Sequence, residues 1–231
     1  MDFQQGLITT IHEYGLEKDP LAQLNKGLQK RSTSILIPCL FEEFQRPALK
    51  LIRTTLRELK NLNQLVVALS ANNRDEVAKA RDFFKEMPFP VHVQWTNSPI
   101  VIELLKEQEK NGLDLLGVPG KGWAVWQGVG VATKSSEVVA LFDADIRTFN
   151  SKYPARLLGP LLEKANGISY VKAFYSRLSL ETNALQGRAT RLFVGPLLSS
   201  LEQLIGNAPF LQYLQSFRYP LAGEFAFTTD L

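Results

Sequence analysis

Apolar and polar residues alternate in two rhythms along this chain. Short apolar runs occur at Ser34–Leu40 (SILIPCL), Gln64–Ser70 (QLVVALS), Val91–Trp95 (VHVQW) and in EVVALFD, which ends at Asp143. Runs of this length with turn or charged residues at their borders predict buried strands. Pro38 is expected to end the first of them. Between the runs the spacing is helical. Leu49, Ile52, Leu56 and Leu59 recur on one face after Pro47, a residue suited to a first turn. RDEVAKARDFFKEM follows Asn72 and Asn73, either of which can cap it. PIVIELLKEQEKNG predicts a helix with a glycine stop, and WAVWQGVGVATK a helix entered through the loop LDLLGVPGKG.

This strand–helix alternation predicts an α/β fold with an open, mostly parallel sheet flanked by helices. The remainder is less regular. RLLGPLLEKAN predicts a helix, GISYVKAFYS a strand, and GRATRLFVGPLLSSLEQLIG a helix broken near Pro196. FRYPLAGEFAFTTDL predicts a turn and a further strand, and residues 1–30 read as a partly helical N-terminal extension before a domain spanning 31–231.

Composition narrows the function. The chain has 231 residues, 45% of them hydrophobic, enough for one sizeable core. The 26 Lys+Arg against 23 Asp+Glu leave a net charge of +3, which gives no case for a nucleic-acid partner. No apolar run approaches the roughly 20 residues that span a bilayer, and the acidic residues of the first segment argue against a secretory signal. One cysteine, Cys39, forbids an internal disulfide and fits a reducing, cytoplasmic setting.

In parallel sheets of this kind, ligands bind beyond the carboxyl ends of the strands. The fourth strand ends there in Asp143-Ala144-Asp145. Two carboxylates this close repel each other, so the pattern calls for a positive partner. Their oxygens favour a hard cation such as Mg²⁺ or Mn²⁺, while the two histidines, His12 and His92, offer no zinc-like cluster. A solvated turn is the plainer alternative. GVPGKGW does not match a P-loop, but Gly120 and Gly122 let backbone approach a ligand and Lys121 can meet a phosphate; a flexible loop would look the same. Glu42 and Glu43 can accept from a base or ribose, or simply favour a helix start. Lys172, Arg177, Arg188 and Arg191, with Tyr175 and Thr190 among them, can recognise phosphate and carboxylate together, although each alone reads as a surface charge. Glu224 in PLAGEF is an acid in an apolar context, which needs either a structural partner or a catalytic role.

In this order IPCLFEE, LSANNRDE, PGKGWAVWQG, LFDADI, GPLL, YVKAFYSR, GRATRL and PLAGEFA resemble the glucosyl-3-phosphoglycerate synthases, from about Ser32 to Leu231. These are retaining nucleotide-sugar glycosyltransferases of the GT-A fold, close to the mannosylglycerate synthases. The resemblance implies glucose transfer from a nucleotide-glucose to the 2-hydroxyl of 3-phosphoglycerate, with Mg²⁺ or Mn²⁺. It implies no nucleic-acid or membrane partner, with a homodimer as the one assembly considered. By the resemblance, Pro38, Cys39, Leu40, Glu42 and Ser70 line the nucleoside pocket. Lys121 lies along the donor diphosphate. Asp143 and Ala144 meet the donor, and Asp143 and Asp145 hold the metal. Gly187, Arg188 and Thr190 hold the acceptor, and Glu224 sits near the transferred sugar; Asp145, Lys121 and Glu224 carry the catalysis.

Two departures from the family pattern bear on function. Its second strand ends in an acidic LDSGS-like turn, where this chain has ALSAN with Leu69. The family also continues past the position of Leu231 with a histidine metal ligand, which implies slow transfer by this chain alone. Alternatives are a mannosyl- or glucosylglycerate synthase acting on D-glycerate, or a non-catalytic nucleotide-sugar binding module.

Overall fold

The computed structural model describes residues 8–11, 19–113, 115, 117, 120–175, 177–178, 185–186 and 189–231. Its core is a six-stranded sheet. Strands β1 (Thr33–Leu40), β2 (Gln64–Ser70), β3 (Val91–Trp95), β4 (Val138–Leu141), β5 (Tyr170–Lys172) and β8 (Phe225–Thr228) lie in the order β3-β2-β1-β4-β8-β5. Two short strands, β6 (Arg177–Leu178) and β7 (Leu185–Gln186), pair separately. The strands β1 to β4 are mutually parallel where they pair, and β8 runs antiparallel to β4. From β1 the chain winds outward through β2 to β3, then returns to place β4 on the other side of β1. That reversal makes the carboxyl ends of β1 and β4 the topological switch point, the favoured ligand position in open α/β sheets.

Helices α1 (Pro20–Leu28), α2 (Pro47–Leu56), α3 (Arg74–Phe84), α4 (Pro99–Lys110), α5 (Lys121–Ala132), α6 (Lys152–Leu162), α7 (Gly195–Ile205) and α8 (Pro209–Ser216) complete the described elements. The chain divides into two compact units. One holds residues 14–171 and 224–231, and the other residues 1–13 and 172–223. In the larger unit, β1 and β2 are near-continuous apolar strands buried along almost their whole length. Each fully buried Leu, Ile or Val contributes about 1.5–3 kcal/mol, so this core outweighs any surface ion pair. The expected helix cap is Asn73, whose side-chain oxygen accepts from the Glu76 N–H at 3.0 Å.

Helix α5 lies directly on β1 and β2, burying Ala124, Gln127, Gly128 and Ala132 against Leu36, Val66, Ala68, Val139 and Leu141. Gly128 sets the separation. A Cβ there would fall inside contact distance of Leu36 Cδ1 and 3.2 Å from the Ala68 Cβ.

The expectation that Pro38 ends the strand is corrected. β1 runs through Pro38 to Leu40, paired with β2 as far as Leu40↔Ser70. What Pro38 ends is the pairing on the other side. Phe142 N–H donates to the Leu36 carbonyl at 3.1 Å. In a parallel ladder the next rung would run from residue 38 to the Phe142 carbonyl, and proline has no N–H to give. The β1–β4 pairing stops at Leu36↔Leu141, and the chain after Phe142 turns away.

The smaller unit contains the helical stretch foreseen around Pro196, but the break precedes the proline. A π-helical turn at Thr190–Val194 leads into α7, with Pro196 in the first turn. Helix α8 had no counterpart among the sequence expectations.

At the amino ends of the strands, Glu137 meets Lys164 at 3.0 Å and Arg31 at 3.8 Å, and Lys30 pairs with Glu163. The hydrogen bond from Lys164 holds the Glu137 carboxyl below its ordinary value, and that from Lys30 does the same for Glu163. A carboxyl lowered in the folded state adds stability above its unfolded value of about 4.3, and loses it as pH falls through the lower folded value. The groups are exposed, so the effect is small and salt-sensitive. Glu137→Gln should therefore lower the urea midpoint slightly at pH 7, and the gap to the wild type should close by pH 3. An equal gap at both pH values would remove the ion pairs as its cause. Gly128→Ala should destabilise. Overpacking of about 1–3 kcal/mol exceeds the roughly 1 kcal/mol that alanine gains in helix propensity. A fall in melting temperature checks it, and an unchanged or raised value would show that α5 can lift from the sheet without loss.

Candidate active site

Once the ladder stops at Phe142, Asp143 and Asp145 stand on a turn at the carboxyl edge of β4. The turn is anchored by buried neighbours. Phe142 packs edge-on against Phe149 at 5.3 Å between ring centroids, Phe149 stacks on Tyr153, and Ala144 and Ile146 are buried. Asp143 is partly shielded and Asp145 is exposed. The positive partner that the sequence called for is present: Lys121 Nζ donates to Asp143 Oδ1. Lys121 is the first residue of α5, so the GKG stretch starts the helix rather than forming a loop ahead of it. The N-terminus of α5 reaches the carboxyl edge because α5 runs back down the sheet to β4.

Glu224 belongs to the same edge. Its neighbour Phe225 pairs with Leu141, which sets Glu224 alongside Phe142 and next to the Asp143 turn. It is only 2% exposed. The acid that looked out of place in PLAGEF is therefore brought to the carboxylate turn by an antiparallel pairing.

At the end of β1, Pro38 and Cys39 are buried and Leu40 is 57% exposed. The Cys39 thiol donates to the Leu40 carbonyl at 3.2 Å. Burial first, then the Glu43 and Glu42 carboxylates, push this thiol far up, which disfavours the reactive thiolate. Glu42 and Glu43 fall in a 3₁₀ turn, Phe41–Gln45. Glu42 is exposed, while Glu43 is buried, with one oxygen bound by Arg46 at 2.5 Å and the other without a hydrogen bond.

Ser70 ends β2, where its hydroxyl lies 3.3 Å from the Thr96 hydroxyl. Leu69, which replaces the acid of the family pattern, is fully buried and pairs with Cys39 and Trp95. The turn that follows is held instead by Asn97, whose side chain accepts from the Ala71 N–H and donates to the Ala71 carbonyl, both at 3.0 Å. Thr96, Asn97 and Gln127 were not foreseen. The one sequence signal for Gln127 is an amide inside the apolar run WAVWQGVGVA.

Thr190 lies in the smaller unit, on the π-helical turn, and its hydroxyl oxygen is buried with no hydrogen bond. Gly187 and Arg188 lie outside the described residues. His92 is exposed on β3, and His12 lies outside the described residues.

No family model matches the chain. Two curated relatives do, along its whole length. The glucosyl-3-phosphoglycerate synthase of Methanococcoides burtonii is 40% identical over 232 residues, covering 100% of this chain and 57% of the relative. That of Persephonella marina is 34% identical over 235 residues, covering 99% and 57%. This chain is a homologue of the glucosyl-3-phosphoglycerate synthases. It spans little more than half the length of these curated relatives. Among solved structures, the glucosyl-3-phosphoglycerate synthase of Mycobacterium tuberculosis in complex with Mn²⁺, UDP and glucosyl-3-phosphoglycerate aligns with a TM-score of 0.61 at 25% identity, over 96% of this chain and 64% of that one. The complex of that synthase with Mn²⁺ and UDP-glucose aligns with a TM-score of 0.60 at 25% identity, over 95% and 62%. The fold of this synthase homologue is accordingly GT-A, and no helix among the described residues is long and apolar enough to cross a membrane.

Among the described residues no group of three His, Cys, Asp or Glu side chains gathers at one point. Asp143 and Asp145 nonetheless fit a hard cation that takes its other ligands from a diphosphate and water, since both offer oxygen from one turn. The shielded thiol yields a direct test. Cys39 in the folded protein should resist a thiol reagent at pH 8 for hours and label once guanidinium unfolds the chain. Rapid labelling of the folded protein would show the β1 end to be open.

Proposed function

We propose that this chain is a retaining glucosyltransferase acting between a nucleotide-glucose and 3-phosphoglycerate. The observation that carries the reading is the Lys121–Asp143 pair at the switch point, in a chain homologous throughout to glucosyl-3-phosphoglycerate synthases. The bond from glucose C1 to the donor diphosphate breaks, and a bond from C1 to the acceptor 2-hydroxyl oxygen forms on the same face. The hydroxyl proton passes to the departing phosphate.

Asp143 and Asp145 would hold Mg²⁺ or Mn²⁺, a cation whose chemistry is to offset the negative charge of the leaving diphosphate. Lys121 has the reach and charge to exchange its contact with Asp143 for the diphosphate, supplying the electrostatic stabilisation that dominates many such steps. Pro38, Cys39, Leu40, Glu42 and Ser70 form the nucleoside side, with Ala144 beside the donor. Glu224 stands where the sugar would lie. Gly187, Arg188 and Thr190 would take the acceptor's phosphate and carboxylate, as the family resemblance implies. Residues 31–231 make up the glycosyltransferase domain, with 1–30 an extension whose α1 packs on α6. Phosphorylated substrates and the lone, shielded Cys39 suit a cytoplasmic setting.

The test is turnover with UDP-glucose, Mn²⁺ and either 3-phosphoglycerate or D-glycerate. Product should form with 3-phosphoglycerate, and Asp145→Ala should lower the rate about 10²–10³-fold without a change in melting temperature. Turnover of D-glycerate in preference would assign the acceptor to unphosphorylated glycerate. Donor binding without transfer to either acceptor would make the chain a binding module.

A further inference from the structure

We propose that Gln127 is a positioning residue for the donor site. It fixes the height of α5 along the sheet, and thereby the place of Lys121 over the carboxylate turn. The proposal rests on the donor-site reading above.

Gln127 is 7% exposed on the face of α5 that meets the sheet. Its neighbours there are apolar, and a buried amide among them is costly unless its hydrogen bonds are made. Both ends of the amide are bonded. Its Nε2 donates to the Thr96 carbonyl at 3.3 Å, and its Oε1 accepts from Gln94 Nε2 at 3.2 Å. Both partners belong to the end of β3, not to the strands that α5 covers. The Thr96 N–H and hydroxyl in turn both donate to the Leu69 carbonyl, at 2.9 and 3.0 Å, and the hydroxyl also meets Ser70. A continuous polar chain thus joins α5 to the carboxyl ends of β3 and β2.

At the far end of α5 the Ala132 carbonyl accepts from Ser34 Oγ on β1 and Gln64 Nε2 on β2, both at 3.3 Å, so Gln127 supplies the matching polar tie nearer Lys121. Ala124, Gly128 and Ala132 are small and pack on Leu36, Ala68 and other aliphatic side chains. Such packing fixes how close the helix lies, and the Gln127 hydrogen bonds add a directional constraint on its position along the sheet. Lys121 lies six residues before Gln127, about 9 Å along the helix axis, so a slide of α5 carries the lysine with it. Its ammonium is on a flexible stem, yet its ion pair with a partly shielded carboxylate depends on where the stem begins.

The test is a double-mutant cycle on UDP-glucose affinity in Mn²⁺, read by calorimetry, with thermal unfolding as a control. Gln127→Met keeps the shape and removes both hydrogen bonds, and it should weaken donor binding about tenfold. Gln94→Leu removes only one, and should weaken it about threefold while leaving the helix packing untouched. In a Lys121→Ala background each substitution should change affinity by less than about twofold, because the group they position is gone. The effect should appear in kcat as well as in donor KM, because the lysine that Gln127 positions acts on the leaving diphosphate. An undiminished loss in the Lys121→Ala background, or no loss with Lys121 present, would overturn the proposal. If Gln127→Met does not fold, the same cycle run with Gln94→Leu decides. If the wild type binds no nucleotide-sugar at all, the donor reading itself fails and this inference with it, an outcome distinct from binding that ignores Gln127.

Discussion

A missing hydrogen-bond donor organises the carboxylate-bearing edge of this protein. Pro38 sits in a central strand, where proline is normally excluded, because its imide faces the side on which pairing has to stop. With its N–H the β1–β4 ladder could add a rung at Phe142, and Asp143 would be drawn into extended backbone. Without it, the chain breaks away after Phe142 and both carboxylates reach one turn. The buried Phe142 and Phe149 rings, with the half-buried Tyr153, then secure the turn. Strand termination and carboxylate placement are one event.

The charge problem at that turn is met from another element. Two nearby carboxylates at a strand end repel each other. Lys121, at the start of a helix on the same sheet face as Leu36, supplies the opposing charge. A lysine suits this role better than an arginine would. Its single ammonium on a long stem can leave one oxygen for another, whereas a bidentate guanidinium would lock onto the carboxylate. The same property that holds the turn would let the lysine turn to a diphosphate in the proposed reaction.

Much of the sheet was legible in the sequence, for a physical reason. β2 is buried on both faces and so is apolar nearly throughout, and the half-buried edge strand β3 is a short run set between turn signals, so Gln64–Ser70 and Val91–Trp95 were found with their bounds. Pro38 was misread because its effect depends on which neighbour its imide faces, and a sequence does not say. Helix α8 has no partner strand to give it a rhythm, and PFLQYLQS leaves Phe210 and Tyr213 exposed, so the usual amphipathic signal is blurred. Within the candidate site, the carboxylates and Lys121 announced themselves by charge beside apolar runs. Glu224 was noticed for the same reason, but only the Leu141↔Phe225 pairing says why it matters. Thr96 and Asn97 were invisible, being ordinary polar residues after a strand until their hydrogen bonds are seen.

The replaced acid at the end of β2 shows how such residues change the account of a site. Read alone, Leu69 in ALSAN looks like a lost polar contact. In the fold it is a fully buried rung between β1 and β3, and the polar work passes to neighbours. Asn97 grips Ala71 through both of its backbone groups, and Thr96 ties Leu69 to Ser70. Directional bonds of this kind, each worth only about 0.5–1.5 kcal/mol, add little to a core of buried aliphatics. Their contribution is geometric. Apolar packing keeps β2, β3 and α5 together, while the amides and hydroxyls decide at what height each element ends. A binding edge assembled from several strand ends depends on those heights, so its precision rests on polar residues that a ledger of stability would rank last.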